Sequence, residues 1–572
     1  MRKLAIYLKP FKIQCSVGPL CKLIEAILEL LLPTIMAFVI NEGVVKNNTQ
    51  VVMILGGVMI LMVIIAFGFS MTCQYLAALA SQGFGTNLRN AMMHHISSFS
   101  FQDIDHFTTS SLSNRLSNDI QQLQVAIAML IRLVIRSPFI VIGAVVMSMF
   151  LDVRLALILI ATIPFIAGIL FIFIRYSSPL YRAYQKKLDR FAEILDDNFS
   201  GVRVIRAFVS QRKEKQTFDA QVDDLSKQMM KVSRCSALLS PLTALVVNGA
   251  IVFLLWTGII EIHTGTMDPG TIIAFINYAT SILIALIATS NLIVIFTKAS
   301  ASAQRVNEVL EHAPSMKEGH EQLTNTKDKE YAITFDHVSF SYDDSERSLE
   351  DISFSIRPNE TIGIIGGTGS GKSTLVHLMA RFYDATDGQV SFYGRPIQTL
   401  TNNSIRDHIA IVSQTCELFN DTILQNITLH EDYATKDIEK ALCDVQAMDF
   451  IQEMKDGLHT MLTRGGANLS GGQKQRLCIA RALLRKADIL ILDDACSALD
   501  FKTDAMLRKA LRSYPMTRII VSQRVGTLLD CDRILVLHDG KLVGFNTHTN
   551  LYDTCDVYQE ICQTQAIGRD AL

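Results

Sequence analysis

The stretch TIGIIGGTGSGKSTLVHLM, residues 361–379, joins an apolar run to a glycine-rich turn and then to the start of a helix. Its spacing fits G-x4-G-K-[ST] in the strand–loop–helix context that this motif requires. Glycines allow backbone N–H groups to close round phosphates, and the helix N-terminus adds positive potential. The stretch therefore predicts an α/β domain that binds a nucleotide. The residues expected to form this P-loop are Gly366, Gly367, Thr368, Gly369, Ser370, Gly371, Lys372, Ser373 and Thr374.

A second apolar run, ILILDD at 489–494, is typical of a buried strand that ends in carboxylates. The first carboxylate, Asp493, is expected to hold Mg²⁺ directly or through water, together with the hydroxyl of Ser373. Lys372 is expected to reach the β- and γ-phosphates of the nucleotide. The two runs together predict a nucleoside triphosphate and Mg²⁺ as cofactors.

A third motif, LSGGQKQRLCIARALL at 469–484, places a serine and two glycines ahead of a helix, which is again an anion-binding arrangement. P-loop, this signature and the ILILDD run in that arrangement resemble the ATP-binding cassette (ABC) superfamily. The resemblance implies ATP as the nucleotide and two cassettes paired head to tail, with each ATP between one P-loop and the partner's signature. The signature residues are Leu469, Ser470, Gly471, Gly472 and Gln473.

The same resemblance implies roles for three further residues. Tyr342 in VSFSYDD matches the aromatic residue that stacks on adenine. Gln414 in IVSQTCELF matches the glutamine close to Mg²⁺ and the attacking water, and Asp500 in SALD matches the D-loop.

The first 300 residues differ from the cassette in composition. Hydrophobic residues make up 49% of the chain, with a mean hydropathy of +0.28, and the long apolar stretches all precede residue 300. Six of these stretches are long enough to cross about 30 Å of hydrocarbon at 1.5 Å per residue. The predicted spans are 16–41, 51–80, 125–151, 154–176, 236–262 and 271–296.

The connections between these spans alternate in length. The loops at 42–50, 152–153 and 263–270 are short, whereas those at 81–124 and 177–235 are long, and the second is rich in Lys and Arg. This asymmetry and the basic N-terminus predict that both termini, both long loops and the cassette are cytoplasmic. Helical periodicity in the long loops predicts paired helical rods, each turning around a short cross-helix near Phe101–Phe107 or Asp197–Val204.

The N-terminal residues form a separate prediction. MRKLAIYLKPFKI has basic residues but no short apolar core with a cleavage site, so it is not typical of a signal peptide. It predicts an amphipathic helix at the membrane surface. The apolar side would carry Leu4, Ile6, Tyr7 and Phe11.

Charged residues inside the predicted spans allow two interpretations. Glu25 and Glu29 are four residues apart in the first span, with Lys22 one turn earlier, and Arg132 and Arg136 are four apart in the third. Charges within a membrane favour a polar, water-accessible cavity. The alternative is that the basic residues lie near the boundary and extend their charged ends into water.

The predicted fold is therefore multidomain: an α-helical transmembrane bundle with long cytoplasmic extensions, joined to an α/β P-loop NTPase cassette. The predicted boundaries are 1–305 for the membrane domain, 306–330 for a polar linker and 331–572 for the cassette. Six spans ahead of one cassette resemble one half of an ABC exporter, which implies a plasma membrane location and a second half as partner.

Two positions depart from the family pattern. Asp494 stands where the family has a catalytic Glu, and Gln523 in IIVSQR stands where it has a switch histidine. The shorter carboxylate is misplaced by about 1.5 Å, and misplacement by about 1 Å can cost roughly 10²-fold in rate. Gln cannot carry the charge of an imidazolium ion. With an intact signature, this pattern resembles the degenerate-site subunit of bacterial heterodimeric multidrug exporters, whose partner carries Glu and His.

Several alternatives are left by the sequence. They are a homodimeric exporter of lipid, peptide or porphyrin, and an ATP-gated channel or regulator. The six spans exclude a soluble DNA-repair or translation ATPase, and importers are disfavoured because their spans and cassettes are usually separate chains.

A net charge of −2 gives no reason to expect a nucleic-acid partner, and eleven scattered cysteines predict buried, reduced thiols. Spans rich in Phe, Met and Ile suit small amphipathic substrates such as drugs or dyes, and packing of these side chains against lipid explains the same composition equally well.

Overall fold

The computed structural model describes residues 3–265, 267–323, 329–342 and 347–569. The chain divides into two compact units. The membrane unit comprises Met1–Ser97 and Thr109–His312, and the cassette unit comprises Ser98–Thr108 and Ala313–Leu572.

Within its described residues, the membrane unit contains six helices that are long and apolar enough to cross a membrane. These helices are Lys3–Val44, Thr49–Ile96, Thr109–Leu151, Val153–Ser200, Gln211–His263 and Pro269–Glu311. Each contains one predicted span, so the six predicted spans are confirmed as helix. Two of these helices begin at short loops with a side-chain cap. Asn48 Oδ1 accepts a hydrogen bond from the amide of Val51 at 3.3 Å, and Asp152 Oδ1 accepts from the amides of Arg154 and Leu155 at 2.8 and 3.0 Å.

Several of these long helices are composed of shorter elements. The first begins with a 3₁₀ segment, Lys3–Phe11, and ends with a π-helical turn, Val39–Val44, and two further π-turns, Arg115–Asp119 and Leu130–Val134, interrupt the third. The α-helices of the six spans are α1 Lys12–Phe38, α2 Thr49–Ile96, α4 Thr109–Asn114, α5 Ile120–Met129, α6 Arg136–Leu151, α7 Val153–Ser200, α9 Gln211–His263 and α10 Pro269–Glu311. Two short helices join them, α3 Phe101–Phe107 and α8 Val202–Ala207.

The connecting segments differ from the prediction in detail. Helix α3 spans the predicted Phe101–Phe107, but residues 197–200 of the second predicted cross-helix continue α7, and the break comes at Gly201. Helix α10 continues through residues 306–311 of the predicted linker, while residues 324–328 of that linker lie outside the described residues. At the N-terminus Leu4 is buried but Ile6 is 55% exposed, because the 3₁₀ period of three residues places them on different faces.

Two ion pairs involve charged residues of these spans: one lies within the first span and the other joins the first span to the third. Lys22 Nζ lies 2.6 Å from Glu25 Oε2, and both side chains are largely buried. Arg136 Nη2 lies 2.6 Å from Glu29 Oε2, and the Glu29 side chain is 42% exposed. Glu29 and Arg136 both lie about 22 Å from the short-loop ends of their helices at 1.5 Å per residue, within an apolar layer about 30 Å thick.

Removal of one member of the deeper pair is expected to destabilise the membrane unit. Arg136→Leu leaves Glu29 charged without its partner, and loss of a fully buried partner costs about 3–5 kcal/mol. Because Glu29 is half exposed, we expect about 1–3 kcal/mol, measured as a lower midpoint of thermal unfolding in detergent. Glu29→Gln combined with Arg136→Leu should recover most of the loss, and an unchanged midpoint for Arg136→Leu alone would contradict the prediction.

The cassette unit contains two sheets. Its strands are β1 Ile333–Phe340, β2 Leu349–Ile356, β3 Thr361–Gly366, β4 Asp387–Phe392, β5 Arg395–Pro396, β6 Ile409–Val412, β7 Ile489–Asp493, β8 Thr517–Val521, β9 Arg533–His538 and β10 Lys541–Asn546. One sheet is antiparallel, in the order β2-β1-β4-β5. The other has the order β10-β9-β3-β8-β7-β6 and is parallel except for β10.

The parallel sheet is buried on both faces, which explains the continuous apolar run of β7. Ile489 and Ile491 pack into the core shared with the antiparallel sheet. Leu490 and Leu492 point the other way, into a core formed largely with helices. Strands covered on both sides need apolar residues at every position, so this α/β cassette agrees with the fold predicted from the sequence.

Helices of the cassette unit cover these sheets and surround the motifs. They are α3, α11 Lys372–Met379, α12 Asn402–His408, α13 Ile423–Thr428, α14 Thr435–Asp444, α15 Met448–Gln452, α16 Gly471–Leu484, α17 Phe501–Leu511, α18 Val525–Leu528, α19 His548–Thr554 and α20 Asp556–Thr564. The eleven cysteines are all free thiols, and Cys443 is exposed rather than buried as predicted, because it lies on the outer face of the amphipathic helix α14.

Candidate functional site

The P-loop connects β3 to α11 and is shaped by close backbone contacts. Gly366 pairs with Leu537 of β9, and a Cβ at Gly366 would lie 2.2 Å from the Leu537 carbonyl oxygen. Gly371 has φ +96°, a left-handed conformation that favours glycine. Ser370 and Thr374 are buried, whereas the loop residues Gly367, Thr368 and Gly369 are exposed. The loop therefore presents its backbone at the surface, as phosphate binding requires.

Lys372 lies across this loop. Its Nζ donates to the carbonyl oxygens of Gly366 and Gly367 at 3.0 and 2.6 Å. Burial lowers the pKa of the Lys372 ammonium, against the opposing effect of Asp493 and Asp494. An ammonium held at the mouth of the loop is placed to exchange these carbonyl contacts for phosphate oxygens.

Asp493 ends β7 beside the first turn of α11. The Ser373 hydroxyl lies beside the Asp493 side chain, which is largely buried. Burial raises the pKa of Asp493, and the neighbouring Asp494 raises it further, while Ser373 and Lys372 act in the opposite direction. Two carboxylates and a hydroxyl at a buried edge form an oxygen donor set that suits Mg²⁺. Ser373 and Asp493 therefore fit the magnesium role that the sequence predicts for them.

The remaining catalytic candidates follow neighbouring strands. Gln414 comes two residues after β6, Asp494 directly after β7 and Gln523 two residues after β8. Since β6, β7, β8 and β3 run parallel, their carboxyl ends meet at one edge of the sheet, where α/β proteins bind ligands. The topology thus places all three residues at the same edge as the P-loop.

Asp494 is held by several contacts. Its φ is +49°, and its amide donates to the carbonyl oxygen of Val521 at 3.1 Å. The Gln414 side chain lies beside the Asp494 carboxylate. Burial raises the pKa of Asp494, while Arg524, Lys372 and Gln414 counteract the increase. Non-glycine residues with positive φ cost energy and often mark functional sites, so this carboxylate has a fixed position.

Gln523 contributes its backbone to the fold and exposes its side chain. Its carbonyl oxygen accepts from Gln565 Nε2 at 2.8 Å, and Gln565 Oε1 accepts from the amide of Val525 at the same distance. The backbone at this strand end is therefore fixed by the C-terminal helix, while the amide side chain points to solvent.

Tyr342 lies beside the P-loop helix. Its hydroxyl donates to Thr374 Oγ1 at 3.2 Å, and its ring meets the ring of Tyr383 edge-on with centroids 5.2 Å apart. The side chain is 41% exposed. A ring that is fixed at its hydroxyl and open at its surface is suited to stacking on a planar base.

The signature motif forms a capped helix N-terminus. Ser470 Oγ accepts from the amide of Gln473 at 3.3 Å, and Gln473 Oε1 accepts from the amide of Ser470 at 2.8 Å, which is a capping box. Gly471 and Gly472 begin the fourteen-residue helix α16, and a Cβ at Gly472 would lie 3.0 Å from the carbonyl oxygen of Ala498. The remaining amides of this first turn can bind an anion.

Two predicted site residues also serve the fold. Leu469 is buried in the helical core and anchors the segment before α16. Asp500 caps α17, because it accepts from the amide and the hydroxyl of Thr503 at 2.9 and 2.8 Å. These bonds lower the pKa of Asp500.

Sequence reasoning did not identify Gln475 as part of the site. It is buried within α16, its Oε1 accepts from the amide of Ala498 at 3.1 Å, and its Nε2 donates to Ser497 at 3.4 Å. It therefore connects the signature helix to the loop that follows Asp494. The sequence does contain a signal for this role. Gln475 lies three residues before Cys478 and four before Ile479, so this polar amide lies on the face of α16 that packs into the core.

Comparisons with known proteins match both units. Residues 16–287 match the model of the ABC transporter transmembrane region, and residues 349–497 match the ABC transporter model. The chain is 36% identical to the ABC transporter ATP-binding protein YfiB of Bacillus subtilis, over 100% of this chain and 99% of that protein.

Two further relatives carry more specific names. An ATP-dependent lipid A-core flippase of Sodalis glossinidius is 30% identical, with 99% and 97% of the two chains covered. A multidrug resistance ABC transporter ATP-binding and permease protein of Lactococcus lactis is 30% identical, with 97% and 94% covered. The solved structure of a bacterial Atm1-family ABC exporter with ATP bound superposes with a TM-score of 0.82 at 21% identity, over 97% of this chain and 100% of that one.

Proposed function

This chain belongs to the ABC transporters, as an exporter half-transporter with six spans fused to one cassette, and we propose that it is the degenerate-site subunit of a heterodimeric exporter. The family and the six apolar helices indicate a multi-pass plasma membrane protein whose cassette couples ATP hydrolysis to transport. The observation that carries the finer proposal is the position of Asp494, directly after β7 at the carboxyl edge of the sheet, where the side chain is one methylene shorter than that of the family's Glu.

The geometry of Asp494 supports weak hydrolysis at this P-loop. The carboxylate is about 1.5 Å shorter in reach than that of Glu, and the backbone directly after β7 is held by the bond from the Asp494 amide to Val521. A misplacement of about 1 Å can cost roughly 10²-fold in rate. Gln523 can donate a hydrogen bond to a phosphate but cannot carry the charge of protonated histidine. Both changes reduce activation of water and leave nucleotide binding intact.

The binding residues themselves are complete. The P-loop amides and Lys372 bind the phosphates, Ser373 and Asp493 hold Mg²⁺, and Tyr342 stacks on adenine. When bound, Mg²⁺ neutralises charge on the phosphates. The partner's signature covers the ATP that is bound to this P-loop. In return, the signature of this chain, at 470–473, covers the ATP that is bound to the partner's P-loop. Hydrolysis then takes place at the partner's Glu and His.

The proposed substrates are small amphipathic molecules such as drugs and dyes. A groove of about 820 Å³ lies between the third and sixth spans, which are in the membrane unit. Its lining mixes apolar side chains with hydroxyl and amide groups: Val134, Pro138, Thr289, Leu292, Ile293, Phe296, Thr297, Ser300, Ala301 and Gln304. Such a mixture suits amphipathic ligands. The multidrug name of the Lactococcus relative supports this class, and the flippase name of the Sodalis relative supports lipid as the second candidate.

A transport assay tests the proposal. We expect inside-out vesicles that contain this chain and a half-transporter with Glu and His at the two positions to accumulate an amphipathic dye against its gradient when ATP is added. Vesicles with this chain alone should accumulate it far more slowly. Equal uptake by this chain alone would overturn the heterodimer, dye movement only down its gradient would favour an ATP-gated channel, and ATP-driven movement of fluorescent lipid but not dye would favour a flippase.

A further inference from the structure

The side-chain amide of Gln565 bridges two backbone groups of the segment that follows β8, residues 522–525, which we call the switch segment. Its Nε2 donates to the carbonyl oxygen of Gln523 at 2.8 Å, and its Oε1 accepts from the amide of Val525 at 2.8 Å. These groups lie 42 and 40 residues before Gln565 in the chain. A carbonyl only accepts and an N–H only donates, so one orientation of the amide satisfies both. The bridge therefore clamps the backbone on both sides of Arg524.

The Val525 amide needs a hydrogen-bond partner from outside its own helix. Val525 is the first residue of α18, and the first amides of a helix have no acceptor within it. The preceding side chain, Arg524, cannot supply one, because a guanidinium group only donates. The Val525 side chain is buried in the helical core, so the start of α18 is fixed there. Gln565 thus caps α18 from a distant part of the chain.

The position of Gln565 is set by a chain reversal at the end of α20. The amide of Ile567 donates to the carbonyl oxygen of Cys562 at 3.0 Å, and the amide of Ala566 donates to that of Gln563 at 3.1 Å. These two bonds form a Schellman motif, in which the left-handed residue is usually glycine. Ala566 holds this position with φ +53°. A non-glycine residue keeps such a conformation only where surrounding contacts impose it.

Contacts of residues 567–569 supply that constraint. Ile567 packs against the helical core. The carbonyl oxygen of Gly568 lies 3.3 Å from Nε2 of the buried His548, and Arg569 Nη2 pairs with Asp553 Oδ2 at 2.7 Å. His548 and Asp553 both belong to α19. The segment that presents the bridging amide is therefore held by α20 before it and by α19 after it.

The switch segment that the bridge clamps lies beside the strand of the P-loop. The amide of Ser522 donates to the carbonyl oxygen of Ile364 in β3 at 3.1 Å. Ile364 is two residues before Gly366, the first glycine of the P-loop. The Gln523 side chain is exposed at this edge, so its direction is set mainly by the backbone that carries it.

We propose that Gln565 is a positioning residue that holds Gln523 in place for a hydrogen bond to the γ-phosphate of ATP on this chain's own P-loop. The inference rests on the role given to Gln523 in the proposed function. A fixed backbone lowers the conformational entropy that is lost when the Gln523 amide binds a phosphate oxygen. ADP has no γ-phosphate, so the bridge should favour ATP and leave the affinity for ADP unchanged.

Photolabelling of the complete heterodimer with 8-azido-ATP and Mg²⁺ tests this inference. The base of this site lies on Tyr342, so the label is transferred to this chain, which is separated from its partner by mass. Competition by unlabelled ATP and by ADP then gives both affinities. We expect Gln565→Ala to weaken ATP about tenfold, the usual effect of one hydrogen bond to a charged group, and ADP by less than about twofold.

Three further variants make the test specific. Gln563→Ala removes an exposed amide two residues earlier and keeps the backbone carbonyl of the Schellman motif, so it should change neither affinity. Gln565→Glu keeps an acceptor for the Val525 amide but cannot donate to the Gln523 carbonyl, and it should weaken ATP as Gln565→Ala does. Gln523→Ala should weaken ATP to the same extent, and Gln565→Ala should add nothing to that loss.

The results that would refute the positioning role are distinct from those that would refute the proposed function. Normal ATP affinity in Gln565→Ala or Gln565→Glu, equal loss of ATP and ADP, or additive losses in the double variant would overturn the positioning role alone. Normal ATP affinity in Gln523→Ala would overturn it together with the phosphate contact of Gln523. The transport assay decides the heterodimer separately, because the ATP-to-ADP ratio is measured at one P-loop.

Discussion

In a heterodimer whose partner has lost its catalytic Glu, conversion of Asp494 to Glu together with Gln523 to His is expected to restore ATP hydrolysis by about 100-fold. The longer carboxylate regains the missing reach of about 1.5 Å, and the imidazole restores a group that can carry charge beside the γ-phosphate. The P-loop needs no other change, because Lys372, Ser373 and Asp493 already lie close together at the sheet edge. Steady-state phosphate release by the purified complex measures the effect.

The control for this prediction is Asp494→Asn in a complex with the intact partner. Asn keeps the size of Asp and can still bond to Gln414, but it cannot act as a base. We expect phosphate release to stay within about twofold, since catalysis takes place at the other site. A loss of about 100-fold would show that Asp494 is itself the base at a working site, and the degenerate assignment would be wrong.

The second large effect is expected from Gly471→Asp in the signature. A Cβ at Gly471 meets only the Cβ of Ala498, at the ordinary contact distance of 3.6 Å, so the fold accepts a side chain there. A carboxylate in the first turn even stabilises a helix. It would, however, repel the γ-phosphate that the partner's P-loop presents, and loss of transition-state charge stabilisation costs about 10²–10³-fold. We expect phosphate release by the complex to decrease by that factor.

Two comparisons make this prediction specific. Gly471→Ala adds the Cβ without the charge, and we expect it to lose much less activity than Gly471→Asp. Lys372→Ala in this chain's own P-loop should weaken binding of ATP to the degenerate site and still leave measurable turnover. If Lys372→Ala abolished hydrolysis while Gly471→Asp did not, the roles of the two sites would be the reverse of those proposed.

Motifs that depend on local chain conformation were predictable from the sequence. Gly369 and Gly371 of the P-loop have positive φ, a constraint that belongs to the turn itself and not to distant parts of the chain. The six spans were predictable because a run of about twenty apolar residues is needed to cross the bilayer wherever it lies in the chain. The carboxyl-end positions of Gln414, Asp494 and Gln523 follow once their strands are parallel.

Other roles depended on contacts between distant parts of the chain. Leu469 matches the signature motif but is a core residue, and Asp500 matches the D-loop but caps α17. The sequence did not predict the contacts of Gln475 and Tyr383, because their partners Ala498 and Asp105 lie far from them in the chain. A motif states which residue types occur together, whereas the bonds of each side chain depend on what the fold brings beside it.

The sequence by itself therefore determined the two-part architecture, the P-loop and the two departures from the family pattern at Asp494 and Gln523, since each is a property of a continuous segment. Only the tertiary structure decided which side chains lie beside Asp494, that α3 belongs to the cassette unit, and that Glu29 pairs with Arg136. The physical reason is that burial and pairing of charged or polar groups are set by neighbours that the linear order of residues does not specify.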